Sequence, residues 1–326
     1  MHRMPALPAR LLWLVIALFT ATGMAQAQPY PGKSIRLVVP FSPGAGTDAI
    51  SRILAQEMGR GLGQSVVVDN KPGAGGSIGT EIVAKAAPDG HTLLFAPASH
   101  AVNPGLYPNL TYDTRTAFST ISLAAALPVV LAINSAMAPR SLGELIDLAR
   151  LKPGQLSMAS AGNGTVFHLT MELFKESAGI NLIHIPFKGG APAVAALVGG
   201  QVNMAFETSL SLMPHVKSGR VRALAVASAK RIATLPDVPT LAETGVPGVL
   251  SENWYALHAP AGTPAEIITR LHAEISKALK NSEVREKMMA QGAEIRDLGP
   301  AEATAFVRSE IVKWAKVIKD SGARID

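Results

Sequence analysis

Three glycine-rich turns carry the chemistry most readily read from this chain. They are Phe41-Ser42-Pro43-Gly44-Ala45-Gly46-Thr47-Asp48, the stretch from Asn70 to Gly79, and Ser160-Ala161-Gly162-Asn163-Gly164-Thr165. Each follows an expected strand and opens an expected helix. Glycine lets the backbone turn tightly and lets a ligand approach it closely. The helix that follows presents amides with no partner in the helix, together with the positive end of its dipole. A turn of this kind can hold a carboxylate or phosphate without lysine or arginine. One such turn by itself is as readily a plain strand-to-helix connection. Three in one chain favour a binding site, and the second is the one most readily read as structural.

Other chemistry is poorly supported. Gly75-Gly76-Ser77-Ile78-Gly79 matches the nucleophile elbow of serine hydrolases. That motif needs a strand running into the serine, and Pro72 cannot continue a central strand. The glycines at 73, 75 and 79 sit one residue off the dinucleotide fingerprint. Seven histidines after the leader (His91, His100, His168, His184, His215, His258 and His272) show no metal-ligand spacing. With no cysteine, thiolate chemistry is excluded. The sequence therefore calls for no catalytic residue, no metal and no cofactor. His168 lies one turn into the helix opened by the third loop, where it could face a cleft or be satisfied inside its own domain.

The elements that must position these turns alternate along the chain. Strands are expected at Ile35–Phe41, Ser65–Asp69, Thr92–Ala96, Pro128–Asn134, Leu156–Ser160, Asn181–Phe187, Val202–Phe206, Val221–Ala227 and Trp254–His258. Many are apolar on both faces, as strands under helices must be. Ser141 with Glu144, and Thr263 with Glu266, fit capping boxes, the second with Pro264 at the first helical position. Gly59, Gly179 and Gly292 are expected helix stops. This alternation predicts an α/β fold of two lobes, each a mostly parallel sheet flanked by helices. Strands near 128–134 and 251–260 would cross between lobes. Lobe 1 is then 28–128 plus 251–326, and lobe 2 is 129–250.

The compartment is read from the start of the chain. His2, Arg3 and Arg10 precede the apolar run Leu11–Phe19, and Ala25-Gln26-Ala27 has the form of a signal-peptidase site. Residues 1–27 are expected to be a cleaved signal peptide and the mature protein periplasmic. The run is shorter than the ~20 residues of a membrane span. A mature chain near ~300 residues exceeds what one core usually serves. Without its two leader arginines the chain has 28 Lys plus Arg against 24 Asp plus Glu. That surplus is scattered and small, which argues against a nucleic-acid surface and mildly favours anionic ligands.

In these motifs the chain resembles the substrate-binding proteins of tripartite tricarboxylate transporters, the Bug family. The marks are the three turns, the last extended to His168, together with His184-Ile185-Pro186-Phe187-Lys188-Gly189-Gly190-Ala191-Pro192-Ala193, Gly199-Gly200-Gln201-Val202 and Leu235-Pro236-Asp237-Val238-Pro239-Thr240. The resemblance implies a type II periplasmic-binding-protein fold that closes on its ligand like a clam, with no enzymatic activity. It implies a small organic carboxylate as ligand (a di- or tricarboxylate, an aromatic acid or an acidic amino acid), integral membrane permease subunits as partners, and a monomer. A periplasmic sensor of the same fold that feeds a signalling partner is the alternative.

The first-lobe ligand contacts it implies are Ser42, Gly44, Gly46, Thr47 and Asp48, with Ala74 nearby. Those of the second lobe are Ser160, Gly162, Gly164, Thr165, His168, Lys188 and Gly189. Asp48 is expected to cap the helix or order a water, and Lys188 either attracts anions at the cleft mouth or is simply solvated. This chain departs from the family at Gly44-Ala45-Gly46, where relatives often have adjacent glycines. It departs again at Glu207, where many carry aspartate. Glutamate there would repel a second carboxylate, so it is expected to favour a hydroxyl, amide or amine.

Overall fold

The strands that begin the fold are among its most apolar segments, and their burial explains the layering. β1 (Ile35–Val39) has both faces covered, with Ile35, Leu37, Val38 and Val39 each at most 1% exposed. The structure, a computed structural model, describes residues 30–44 and 46–324; the expected signal peptide lies outside them. β1 pairs in parallel with β2 (Val66–Asn70) and β3 (Thr92–Pro97). Between these strands run α1 (Gly46–Leu62) and α2 (Ser77–Ala84), and α3 (Ser99–Leu106) follows β3.

The chain then enters β4 (Phe118–Asn134), a 17-residue strand that belongs to both halves of the sheet. After β4 come α4 (Leu142–Leu151), β5 (Ser157–Ser160), α5 (Val166–Ala178), β6 (Ile183–Pro186), α6 (Gly190–Val198), β7 (Met204–Thr208), α7 (Ser209–Lys217) and β8 (Val221–Val226). β9 (Glu252–Pro260) returns, and α8 (Ala265–Lys280), α9 (Ser282–Ala290), β10 (Glu294–Leu298) and α10 (Pro300–Ser321) complete the fold.

The strand order is β2-β1-β3-β9-β4-β7-β5-β6, with β8 and β10 also on β4. Phe118 to Pro128 of β4 pair with β9, whereas Val129 to Asn134 pair with β7 and β8. The expected parallel pairs are β2-β1-β3 and β6-β5-β7, and the crossing strands β4 and β9 run antiparallel beside them. Because β4 residues alternate faces, Leu131 and Ile133 join the core under α4 and α5. Val130 and Ala132 join a separate core under α6 and α7.

Some local expectations change. Gly59 lies inside α1, which continues to Leu62, so it is no helix stop. Pro264 occupies the N-cap of α8, and the Thr263 hydroxyl donates to Pro260 O, so no capping box forms there. Ser141 does cap α4, accepting from Glu144 N, while the Glu144 carboxylate reaches Arg140 N. The Ala- and Ser-rich first half of β4 and the charged β10 were not expected as strands, since neither has strong strand propensity. Pairing with β9 and burial decide the first, and pairing with β4 decides the second.

α10 packs across the crossing strands with Val307, Ile311, Trp314 and Ile318 against α3, β4 and α5. Its buried Glu310 clasps β9: Oε2 accepts from Trp254 Nε1 at 3.1 Å and from Trp314 Nε1 at 2.9 Å, and Lys313 Nζ is 3.1 Å from Oε1. Glu310→Ala strands both indole donors in a buried site. The expected loss is about 1–3 kcal/mol of unfolding free energy, read from urea denaturation at neutral pH.

Candidate functional site

The first turn is locked by its own aspartate. Asp48, buried in the first turn of α1, accepts from Gly44 N at 3.0 Å, from Asn70 Nδ2 at 3.0 Å and from Arg52 Nε at 3.0 Å. Asn70 also donates to Phe41 O, tying the loop to the end of β2. Burial alone would raise the Asp48 carboxyl, but the bonds from Arg52, Gly44 and Asn70 outweigh it and hold the group below the usual carboxylate range. Asp48 therefore braces the loop so that Gly46 and Thr47 present the start of α1.

The third turn is built in a comparable way from the other half. Gly162 has φ +130°, and a Cβ there would lie 3.0 Å from Phe187 O. Thr165 caps α5: its hydroxyl donates to Gly162 O at 2.8 Å and accepts from His168 N at 3.4 Å. Beneath it, His168 stacks on His184 with centroids 4.2 Å apart and planes 7° apart, and His184 Nε2 lies 2.6 Å from Ser160 Oγ. Burial lowers both imidazoles, His184 to about 3, helped by its histidine neighbour. His168 accordingly supports the loop from inside the second half, its Nδ1 accepting from Gly164 N at 3.4 Å.

The second turn touches the third. A Cβ on Gly75 would lie 2.7 Å from Tyr107 Oη and 3.0 Å from Asn163 O. Tyr107 Oη donates to Asn163 O at 3.3 Å. The elbow reading of Ser77 finds no support, because β2 ends at Asn70 and residues 71–76 intervene before α2.

Two adjoining cavities lie where the turns converge, and Phe41 and Ala161 line both. The deep one, of about 30 Å³, is lined by Gly46 and Thr47 at the start of α1, by Thr165 and Val166 at the start of α5, and by Glu207 at the end of β7. The outer one, of about 620 Å³, is lined by Ser42, Ala74, Gly162, Lys188 and Gly189. Gly44, Asp48, Ser160, Gly164 and His168 line neither; Gly44 is exposed in its turn, and the other four are buried.

Sequence reasoning missed the floor. Asn253 and Tyr255 of β9 line the deep cavity, with Ser99, Thr208 and Ser211. Asn253 Nδ2 donates to Tyr255 Oη at 3.0 Å, and Thr47 lines the same cavity. Burial raises the Tyr255 hydroxyl, so it stays neutral. The available signal was a polar pair two residues apart, hence on one face, in a crossing strand. Among the described residues no cluster of three histidine or carboxylate side chains could hold a metal, and no helix is long and apolar enough to cross a membrane.

Residues 50–323 match the family described as the tripartite tricarboxylate transporter family receptor. The chain belongs to that family. Such receptors are solute-binding proteins, not enzymes. Three solved structures share its fold. The periplasmic binding protein BugD is 36% identical, with 90% of this chain and 99% of that one covered and a TM-score of 0.86. An R. palustris protein with adipate is 34% identical over 91% and 100% of the chains, with a TM-score of 0.87. MatC from Rhodopseudomonas palustris, with bound malate, is 34% identical over 89% and 100%, with a TM-score of 0.84.

The brace at Asp48 makes receptor stability depend on pH. Its lowered native carboxyl contributes stability above the unfolded value near ~3.9, and that contribution fades as pH falls through the native value. Asp48→Asn should therefore cost about 1–2 kcal/mol between pH 5 and 8. The gap between the two proteins should close in acid, as read from denaturant midpoints across the pH range.

Proposed function

We propose that this receptor captures a small organic carboxylate between its two lobes, 28–128 plus 251–326 and 129–250, and delivers it to integral membrane permease subunits of a tripartite transporter. It does so as a periplasmic monomer, after loss of its leader. The observation that carries this reading is that the first turns of α1 and α5, one from each lobe, line the same deep cavity. Their unpaired amides are suited to a carboxylate. The adipate and malate held by two related receptors fit the same chemistry.

In the mechanism that follows, the anion binds first to the amides of one lobe. Closure then brings the second set of amides onto it, so ligand shifts an open–closed equilibrium by its better contacts in the closed form. Ser42, Ala74, Gly162, Lys188 and Gly189 line the outer cavity and would take the more exposed end of the ligand. Lys188 is exposed at that rim, where it adds long-range attraction for anions more than a fixed contact.

The test is a thermal-shift panel of organic acids that includes adipate and malate. A ligand that binds only the folded chain raises the melting temperature progressively with its concentration. No shift with any acid would refute carboxylate capture. Gly46→Ala sharpens the test, because its Cβ would lie 2.9 Å from Leu127 Cδ1 and 3.0 Å from Tyr255 Oη. Crowding the deep cavity in this way should weaken binding of a panel hit by roughly tenfold or more in calorimetry.

A further inference from the structure

The floor of the deep cavity holds a carboxyl group that its surroundings do not neutralise. Glu207 is 2% exposed. Its Oε2 accepts from Thr208 N at 3.0 Å, while Oε1 has no hydrogen-bond partner. Oε1 lies close against α6, since a Cβ on Gly190 would fall 2.7 Å from it. The groups facing Glu207 are Val130 of β4, Gly190 of α6, Ser211 of α7, Thr47 of α1 and Tyr255 of β9. Among the described residues lining this cavity, the ionisable side chains are Glu207 and the neutral Tyr255, and none is cationic.

The same small space is bounded by the start of α1, so a carboxylate held on those amides would lie close to Glu207. Two like charges in one dry cavity cannot both remain ionised at neutral pH. Resting on the capture reading above, we propose that binding of a carboxylate is coupled to uptake of one proton from solvent at Glu207 Oε1, which then donates a hydrogen bond to the ligand. Glu207 is thus a specificity-determining donor for a carboxylate, in place of the expected acceptor for a ligand hydroxyl, amide or amine. Burial already pushes its carboxyl up to about 7, against the lowering effect of the Thr208 N bond, so the proton is readily gained near neutrality. An incoming anion raises it further.

The sign of the linkage follows. Where Glu207 is ionised in the free receptor, each binding event must take up a proton, so affinity falls as pH rises. Where it is already protonated, affinity is level. Calorimetric titration of the mature chain with adipate and with malate, from pH 6.5 to 9, should give a Kd that rises about tenfold per unit at the alkaline end. At pH 8, buffers of different ionisation enthalpy should report close to one proton taken up per ligand. Glu207→Gln, neutral at every pH and able to donate, should bind with a level Kd near that of the natural chain at pH 6.5 and with no proton uptake.

The buffer comparison needs no variant, so it stands whether or not Glu207→Gln folds. A natural chain whose Kd is level from pH 6.5 to 9 with no proton uptake overturns the linkage alone. Binding that strengthens with pH and is lost in Glu207→Gln also overturns it, in favour of an ionised carboxylate holding a ligand donor. A chain that binds neither probe nor any other acid of the panel fails as a carboxylate receptor altogether.

Discussion

Peptide amides left unpaired at the first turns of two helices are the resource around which this molecule is organised. An amide that no carbonyl reaches must meet water or an anion. Placing two such helix starts around one cavity creates a demand that neither turn satisfies by itself. Much of the surrounding structure holds these starts in position. Asp48 with Arg52 and Asn70 fixes the approach to α1, and Thr165 with the stacked His168 and His184 fixes the approach to α5. Of these braces, Asp48, His168 and His184 line neither cavity, which leaves much of the reading surface to the backbone. A reading surface of this kind recognises a carboxylate group well and says little about the carbon skeleton attached to it.

Selectivity then has to come from the floor and the rim. The floor combines Asn253 and Tyr255 from a crossing strand with Glu207 from the end of β7. These groups are buried and mostly hydrogen-bonded, so each unsatisfied atom weighs heavily in a space of low polarisability. The rim around Ala74, Lys188 and Gly189 is open and wide by comparison. The two cavities therefore differ in character: the inner one is small and lined by buried polar groups, and the outer one is wide and open at its rim.

The three turns and the strand–helix alternation were legible in the sequence because glycine spacing and apolar runs are local signals. The braces were partly legible. Asp48 was recognised as a loop or cap residue, but its partners Arg52 and Asn70 are joined to it only by the packing of α1 against β2. His168 had two readings in sequence, and in the structure it stacks on His184, a partner that only the packing of the second half supplies. Tyr255 and Asn253 were missed because a polar pair two residues apart is a weak signal in a strand that is otherwise apolar. Gly59 misled for a related reason: glycine in a helix carries the same local signal as a stop, and the packing of α1 overrides it.

One consequence follows from β4 serving both halves of the sheet. A single uninterrupted strand contributes pairing edges to each side of the cleft, and β9 is zipped along its first part from Phe118↔Pro260 to Pro128↔Glu252. The junction is therefore part of the sheet, with β3 on the far side of β9 and β10 also on β4, not a slack tether. A strand shared in this way joins the halves through continuous ladder pairing, since the residues that leave β9 pass directly onto β7 and β8. Neither half can be cut out as an autonomous unit at this point, because severing β4 takes a paired strand from both.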